Sequence, residues 1–375
     1  MVFRISEDSL KTNKAQWRKT QSFPFQTQLL AIPSPDKMAN NTEDNDRSSP
    51  YPIQAVERLR AENWNGSIPV IISLAPTSLS SPTIPPPIHV LLSRHTFLHI
   101  GLKHAVMRLH KFAPPTISFS RRVVEEPDVG TGSQGEEDDE QSSGDNTRDE
   151  PTKEKTEEEE IYPVCWFEDE ATELPLRWQL FAGILWDSHQ SATNNKNLPW
   201  KIRLHFTSYP SSQLLELDPA SGVLTTVERT FKNSLKQALV LQHGHAKVAL
   251  NMTKQSHQRV WHSIITSKYS VYKPIQEDIQ AKDNLTMIPV RLLVDSSKPL
   301  IQKRCDDQAI TLGELLLQWI PEHFVTAEDG DVKPALHIIK WWVSGVVPPL
   351  TCRLKELWLT LCHPDNFLYI AVVTQ

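Results

Sequence analysis

The chain has 375 residues, enough for two or three domains with buried cores. Only 39 % of the residues are apolar, which indicates that part of the chain is not folded, and four cysteines exclude a disulfide scaffold. No apolar run reaches the roughly 18 residues of a membrane-spanning helix. The first 20 residues lack the apolar stretch of a secretory signal, so we expect a reduced, cytoplasmic protein.

The acidic charge is concentrated in one segment. Residues 125–160 contain 16 acidic and three basic side chains, whereas the remaining chain has 36 basic and 29 acidic side chains. A mildly basic body suits an anionic membrane surface or an acidic partner. It is too weakly charged to indicate a nucleic-acid partner, and we expect none.

Two segments are predicted to be disordered. Residues 1–50 are polar and proline-containing and show no sustained hydrophobic period, which is typical of a disordered tail. Residues 125–160 have almost no large apolar side chains, so they cannot bury enough surface to offset the entropy of ordering. We interpret them as a disordered acidic insertion in a loop.

The first region with folded character covers residues 51–208. Its runs of β-branched and aliphatic residues predict strands, and apolar residues at helical spacing predict helices. In chain order the predicted elements are a helix at 55–63, strands at 68–74 and 89–93, a helix at 98–112, strands at 162–168 and 174–178, a helical turn at 184–188 and a strand at 200–207.

The middle region, residues 209–284, has helical periodicity. Val227, Phe231, Leu235, Ala238 and Gln242 fall on one face of a helix predicted at 226–242. Gly244 follows where a C-terminal cap glycine is expected. Two further helices are predicted at 248–265 and at about 271–280, the last interrupted by Pro274.

Residues 285–375 return to strands. The predicted elements are strands at 288–294 and 300–304, a helix at 310–320, a strand at 335–343, a helix at 350–361 and a final strand at 367–373. Like the first region, this one starts with Ile-Pro-Val (68–70 and 288–290), continues into a hairpin, crosses with a helix and ends in an apolar strand. Both sizes suit the β-grasp fold of ubiquitin. The sequence predicts an α+β protein with two β-grasp domains flanking a helix-rich domain.

Catalytic signatures are nearly absent. A G-x-G-x-x-G match at 130–135 follows no predicted strand and lies in the acidic run, where a pyrophosphate would be repelled. His257 and His262 are five residues apart and do not share a helix face, so the histidines at 243, 245, 257 and 262 do not predict a metal site. The cysteines, Cys165, Cys305, Cys352 and Cys362, form no C-x-x-C pair. We expect no catalytic residue, no cofactor and no metal.

Several stretches resemble the autophagy protein 5 family, the acceptors of the ubiquitin-like modifier protein 12. They cover most of 60–124 and 162–375 in the family's order, and no single one is a catalytic signature. The stretches are NWNGSIPV (63–70), ELPLRWQLFAGILWD (173–187), LPWKIRLHFTSYP (198–210), FKNSLKQA (231–238), IPVRLLV (288–294), PLIQKRC (299–305), ITLGELLLQWIP (310–321) and HPDNFLYIAVV (363–373).

The resemblance implies one functional residue. In the family, a lysine on the first helix of the central domain forms an isopeptide bond with the C-terminal glycine of protein 12. The family pattern of Phe, three residues, an aliphatic residue and Lys matches Phe231 and Leu235-Lys236, so Lys236 is the implied acceptor and Lys232 the fallback. Lys236 is about 140° from Phe231 around the helix and is expected to point away from the buried face. The family often has acids one and three positions after this lysine, whereas Gln237 and Leu239 stand here.

The resemblance also implies partners. They are protein 12 (covalent), the coiled-coil autophagy protein 16, the conjugating enzymes protein 10 and protein 3, and the phagophore membrane, where the protein would be peripheral. With protein 16 the conjugate would act like a ubiquitin ligase. It would promote transfer of autophagy modifier protein 8 to phosphatidylethanolamine during autophagosome formation, without a catalytic residue of its own.

Two other functions stay open: the protein could be a non-covalent ubiquitin-like adaptor or a thiol enzyme. If the domains are ubiquitin-like, the absence of any Gly-Gly and the ending Val373-Thr374-Gln375 favour an acceptor or scaffold over a modifier. A modifier needs a terminal glycine carboxylate to be activated.

Overall fold

The computed structural model describes residues 53–115, 162–190, 198–218, 220–281 and 287–374. The predicted disordered tail at 1–50, the acidic insertion at 125–160 and the glycine motif at 130–135 lie outside the described residues. The domain boundaries proposed at 50/51, 208/209 and 284/285 stay predictions.

The first sheet has four strands in the order β2-β1-β4-β3. The central strands β1 and β4 are parallel, and both edge strands pair with them antiparallel. This mixed sheet with a parallel centre is the arrangement that the β-grasp prediction requires. Its strands are β1 (Ser67–Leu74), β2 (Ile88–Ser93), β3 (Trp166–Asp169) and β4 (Trp200–His205).

In the described part of the first region, the α-helices are α1 (Ile53–Trp64), α2 (Leu98–Gly101), α3 (Lys103–His110) and α4 (Ala182–Ser188). The single helix predicted at 98–112 is wrong in one respect, because the backbone leaves helical geometry at Leu102 (φ −102°, ψ 8°). The strand predicted at 174–178 is also wrong. Only an isolated bridge joins Pro175 to Glu168, since proline offers no amide hydrogen to a sheet ladder.

The middle of the chain is helical, as predicted: α5 (Val223–His243), α6 (Lys247–Asn251), α7 (Lys254–Thr266) and α8 (Tyr269–Ala281). Gly244 caps α5 in the left-handed region, with φ +72°. The single helix predicted at 248–265 is wrong, because the Thr253 side chain accepts a hydrogen bond from the Ser256 amide and starts a new helix. Pro274 lies inside α8 without ending it.

The second sheet repeats the topology of the first, in the order β6-β5-β10-β9. Its strands are β5 (Ile288–Val294), β6 (Ile301–Cys305), β9 (Lys340–Trp342) and β10 (Leu368–Val373), and its helices are α9 (Leu312–Trp319) and α10 (Leu354–Leu361). The long strand predicted at 335–343 is wrong, since only its last part pairs. A small hairpin of β7 (Phe324–Thr326) and β8 (Val332–Pro334) was not predicted, because three-residue strands leave little alternation to detect.

The repeated Ile-Pro-Val tripeptide occupies equivalent places in the two sheets. Val70 pairs with Trp200 at the start of the parallel ladder of the first sheet, and Val290 pairs with Leu368 at the start of the second. In each sheet the preceding proline faces the antiparallel edge strand. The repeated tripeptide therefore corresponds to a repeated structural position.

The apolar core forms two clusters that do not coincide with the three regions. The first cluster joins the first sheet to the helices α5, α7 and α8 through residues such as Ile72, Phe231 and Trp261. The second fills the other sheet and includes Leu59 from α1, so the N-terminal helix packs on the C-terminal domain. The helical region thus shares its core with the first sheet, while α1 links the first region to the last.

Helix α9 starts with a capping box whose contribution to stability can be tested by a single substitution. The Thr311 hydroxyl accepts from the Glu314 amide, and the Glu314 carboxylate accepts from the Thr311 amide at 2.8 Å. We expect Thr311→Ala to lower the free energy of unfolding by about 1 kcal/mol, measured by urea denaturation. Thr351→Ala, at an exposed position, is the control, and an equal loss in both variants would contradict the capping role.

Candidate functional site

Helix α5 has one buried face and one exposed face. Phe231, Leu235 and Ala238 are buried, and the Phe231 ring lies 5.7 Å from the ring of Trp261. With 3.6 residues per turn, the residue after Leu235 falls outside this face. The structure accordingly leaves Lys236 exposed.

The surface around Lys236 is basic. Burial lowers the pKa of His257 on α7, and the positive charges of Lys236 and Lys232 lower it further. One turn before Lys236, the Lys232 amine forms an ion pair with Glu228 at 2.5 Å. Within the described part of the chain, no carboxylate lies at ion-pair distance from the Lys236 amine. Of the two candidate lysines, Lys236 is the one whose amine is not held by an acid.

A polar network centred on the buried Arg291 and Asp365 lies beneath the same turn of α5. The Arg291 guanidinium, on β5, donates through Nη1 to Ser234 Oγ at 2.6 Å and through Nη2 to Gln237 Oε1 at 3.1 Å. Nη1 also donates to Tyr369 Oη at 2.5 Å and contacts Asp365 Oδ2 at 3.2 Å. The arginine thus connects α5 to the central strands of the second sheet.

Asp365 is the acid at the centre of this network. Its Oδ2 accepts from Ser234 Oγ at 2.6 Å and from Tyr369 Oη at 2.7 Å. Burial raises the pKa of the Asp365 carboxyl, and the Arg291 charge opposes that shift. The guanidinium also stacks on Phe367, 3.8 Å from the ring centroid, so one of its faces is covered while its edges are hydrogen-bonded.

The two terminal domains meet at a buried ion pair. Arg94, after β2, contacts Asp187 of α4 at 2.5 Å, with side chains 8 % and 4 % exposed. Gly345 of the C-terminal domain hydrogen-bonds Asp187 through its backbone. A Cβ at Gly345 would lie 2.6 Å from Arg94 Cζ, and its φ is +86°, so only glycine fits there. The neighbouring Ser344 hydroxyl bonds Asn63 Oδ1 at 2.8 Å.

Two buried histidines lie at the same junction. The rings of His95 and His363 make an edge-to-face contact at 4.9 Å, and His95 also contacts the Trp64 ring. Burial and the Arg94 charge lower the pKa of His95 to about 3. Burial lowers the pKa of His363 well below its usual range, with His95 and Arg94 adding to the shift. Both shifts favour the neutral imidazole near neutral pH.

The cysteine thiols lack the environment of a nucleophile. Burial raises the pKa of Cys165 to about 12 and those of Cys352 and Cys362 to about 11, and it also raises the pKa of Cys305. A thiol nucleophile needs a lowered pKa and access to solvent. His99 approaches Cys165 at 3.7 Å, but burial lowers the His99 pKa to about 3, so the pair stays neutral.

The described residues include neither a metal-binding cluster nor a membrane-spanning helix. No group of three or more His, Cys, Asp or Glu side chains there could hold a metal ion. The rings of His243 and His245 stack at 6.2 Å. Over the same residues, every helix is too short or too polar to traverse a bilayer.

The sequence predicted that Lys236 is exposed, which the structure confirms, but it did not indicate the arginine network below it. One signal was present: Arg291 is a charged residue in an otherwise apolar strand whose seven positions are all buried. A charge there requires a buried partner, and the structure supplies Asp365. The role of Lys236 as an acceptor stays a prediction.

The fold defines a class: a protein with two small ubiquitin-like domains flanking a helical bundle. Three family models match in the corresponding order: Autophagy protein ATG5, UblA domain, at residues 148–206; alpha-helical bundle region, at 224–281; and UblB domain, at 287–372. The chain belongs to the autophagy protein 5 family, which confirms the resemblance and the fold class.

Relatives and a solved structure agree with this assignment. The chain is 21 % identical to Autophagy protein 5 of Phaeosphaeria nodorum over 357 residues, covering 85 % of this chain and 98 % of the relative. It is 24 % identical to Autophagy protein 5 of Scheffersomyces stipitis over 223 residues, covering 56 % and 76 %. The crystal structure of Kluyveromyces marxianus Atg5 superposes with a TM-score of 0.59 at 20 % identity, covering 85 % of this chain and all of that one.

Proposed function

We propose that this protein is the acceptor in an isopeptide conjugation, with the Lys236 amine bonded to the C-terminal glycine of the ubiquitin-like modifier protein 12. The observation that carries the proposal is the exposed amine of Lys236, in the middle of α5 and unopposed by any described acid. Membership of an autophagy family and the match of Phe231 and Leu235-Lys236 to the family pattern support it.

The chemistry needs little from this chain. The neutral Lys236 amine attacks the thioester carbonyl of the modifier carried by conjugating enzyme protein 10; the C–N bond forms, the C–S bond breaks and the enzyme's thiol is released with the amine's proton. Among the described residues, no carboxylate lies at ion-pair distance from the Lys236 amine to act as its base. The activating work therefore falls to the conjugating enzyme.

The conjugate is proposed to act with the coiled-coil protein 16 as a ligase-like factor. It promotes the transfer, by conjugating enzyme protein 3, of modifier protein 8 to phosphatidylethanolamine, in the cytoplasm and as a peripheral protein at the phagophore assembly site. The raised pKa values of the cysteines favour a non-catalytic role over a thiol enzyme. The mildly basic charge outside residues 125–160 suits a peripheral contact with anionic lipid.

Denaturing electrophoresis tests the proposal. We expect the wild-type chain, expressed with its conjugation partners, to give a covalent species of higher mass that disappears completely in Lys236→Arg. Lys232→Arg is the matched control, one turn away on the same helix and paired with Glu228, and it should keep the species. Full autophagic function in Lys236→Arg without a covalent species would favour the adaptor. Loss of the covalent species only in Lys232→Arg would identify Lys232 as the acceptor.

A further inference from the structure

The turn of α5 that carries Lys236 is held from both sides. On one side Phe231, Leu235 and Ala238 pack into the core shared with the first sheet. On the other side Ser234, two residues before Lys236, and Gln237, directly after it, bind the second sheet through a single guanidinium. The exposed amine is therefore located relative to both ubiquitin-like domains.

The geometry of the guanidinium makes this connection rigid. Arg291 presents its donors in a planar fork, and each edge has a different acceptor. Nη1 binds Ser234 and Tyr369, Nη2 binds Gln237, and Nε donates to Gln302 Oε1 on β6 at 2.8 Å. Stacking on Phe367 and the ion pair with Asp365 keep the fork from rotating. Because the guanidinium is held at this many points, it fixes the position of α5 relative to the second sheet.

Gln237 differs from the other acceptors of Arg291. Ser234 is bound by Asp365 as well as by Arg291, so it has a second link to the C-terminal domain. The amide oxygen of Gln237 is bound by Arg291 at the residue next to Lys236, on the exposed side of the helix. Its removal frees the C-terminal side of the acceptor turn while leaving the buried Arg291–Asp365 pair in place.

We propose that Gln237, through its hydrogen bond to Arg291, is a positioning residue for the conjugation, fixing the Lys236 turn against the second ubiquitin-like domain. This inference rests on the proposed function. A thioester bound to a separate enzyme must meet the amine at a defined distance and angle, and small misplacements of a reacting group reduce rates by large factors. The hydrogen bond keeps the backbone that carries the amine at one position relative to the surface on which the enzyme docks.

The test compares two glutamines that bind the same guanidinium. In the full-length protein, we expect Gln237→Ala to reduce the initial rate of conjugate formation about tenfold at limiting thioester-loaded conjugating enzyme. Gln302→Ala removes a hydrogen bond from the same arginine, but on β6, and should stay within about twofold of wild type. Gln237→Glu keeps an oxygen acceptor at the same position and should restore at least half of the wild-type rate.

Hydrogen exchange of α5 supplies a readout independent of conjugation. We expect Gln237→Ala to accelerate exchange of the backbone amides around Lys236 and to leave α7 unchanged, whereas Gln302→Ala leaves both unchanged. Equal rates in the two alanine variants, no rescue by Gln237→Glu, or unchanged exchange in α5 would overturn the positioning role.

The Lys236→Arg variant separates this inference from the proposed function. If Lys236→Arg still conjugates, the proposed acceptor is wrong, and the exchange measurement still decides whether Gln237 holds the turn. If Lys236→Arg does not conjugate but Gln237→Ala conjugates at the wild-type rate, the acceptor stands and only the positioning role fails.

Discussion

Asp187→Asn is expected to lower the free energy of unfolding by about 3–5 kcal/mol. The substitution is nearly isosteric, so the loss comes from charge. It leaves the Arg94 guanidinium, whose side chain is 8 % exposed, buried without a counter-ion. An asparagine oxygen can still accept from the Gly345 amide, and Gly183 O still accepts from Arg94 at 3.2 Å. The unpaired charge lies where the loop of the C-terminal domain covers the first domain.

The measurement is the urea midpoint of the full-length chain, with Glu62→Gln as the control. Glu62 pairs with Arg58 at 2.8 Å, but the arginine side chain is 65 % exposed. Removing this ion pair should therefore lower the free energy of unfolding by about 0.5 kcal/mol or less. Arg94→Met combined with Asp187→Leu should recover part of the loss, because it removes both buried charges. Equal losses for Asp187→Asn and Glu62→Gln would show that the buried pair does not hold the domains.

Mild acid is expected to destabilise the protein strongly. His95, His99 and His363 are fully buried, and the pKa of each is lowered by burial, to about 3 for His95 and His99. Unfolded histidine titrates near 6.5, so below that pH the unfolded chain binds protons that the folded chain does not. Stability is therefore full above about pH 6.5 and falls as the pH decreases towards 3. At pH 5 each histidine costs about 2 kcal/mol.

His95→Phe isolates one of these contributions. Phenylalanine can keep the aromatic contacts with Trp64 and His363 but has no proton to bind. The difference in unfolding free energy between pH 7 and pH 5 should therefore shrink by about 2 kcal/mol. His104→Phe, at an exposed position of α3, should leave the difference unchanged. A pH dependence that is the same in wild type and His95→Phe would contradict the linkage.

The element types and their order followed from local patterns, and the boundaries failed where one local contact decided them. Alternation and helical period identified β5 and α5, because each buries one continuous face or run. Thr253 split a predicted helix through a single side-chain hydrogen bond to Ser256, which competes with the apolar period around it. Pro274 had the opposite outcome, because tertiary packing of Tyr272 and Ile275 keeps α8 intact around it.

The candidate site also has one feature that local spacing predicts and others that depend on distant residues. The exposure of Lys236 was predictable, since the position of a residue around a helix depends only on its spacing from Phe231 and Leu235. The connection of Gln237 to Arg291 was not predictable, because 54 residues separate them and no periodicity relates a helix to a distant strand. The same holds for Arg94, Asp187 and Gly345, whose contact depends on a left-handed glycine in a loop of another domain.

By itself, the sequence determined the two similar sheet domains, the helices between them and the helix face that carries Lys236, because these depend on spacings of a few residues. Only the tertiary structure decided how the domains are joined. The shared core of the first sheet and α5, the placement of α1 on the C-terminal domain and the guanidinium beneath Lys236 all bring together residues far apart in the chain. Such contacts are selected by the packing and charge pairing of the whole molecule, which no local pattern encodes.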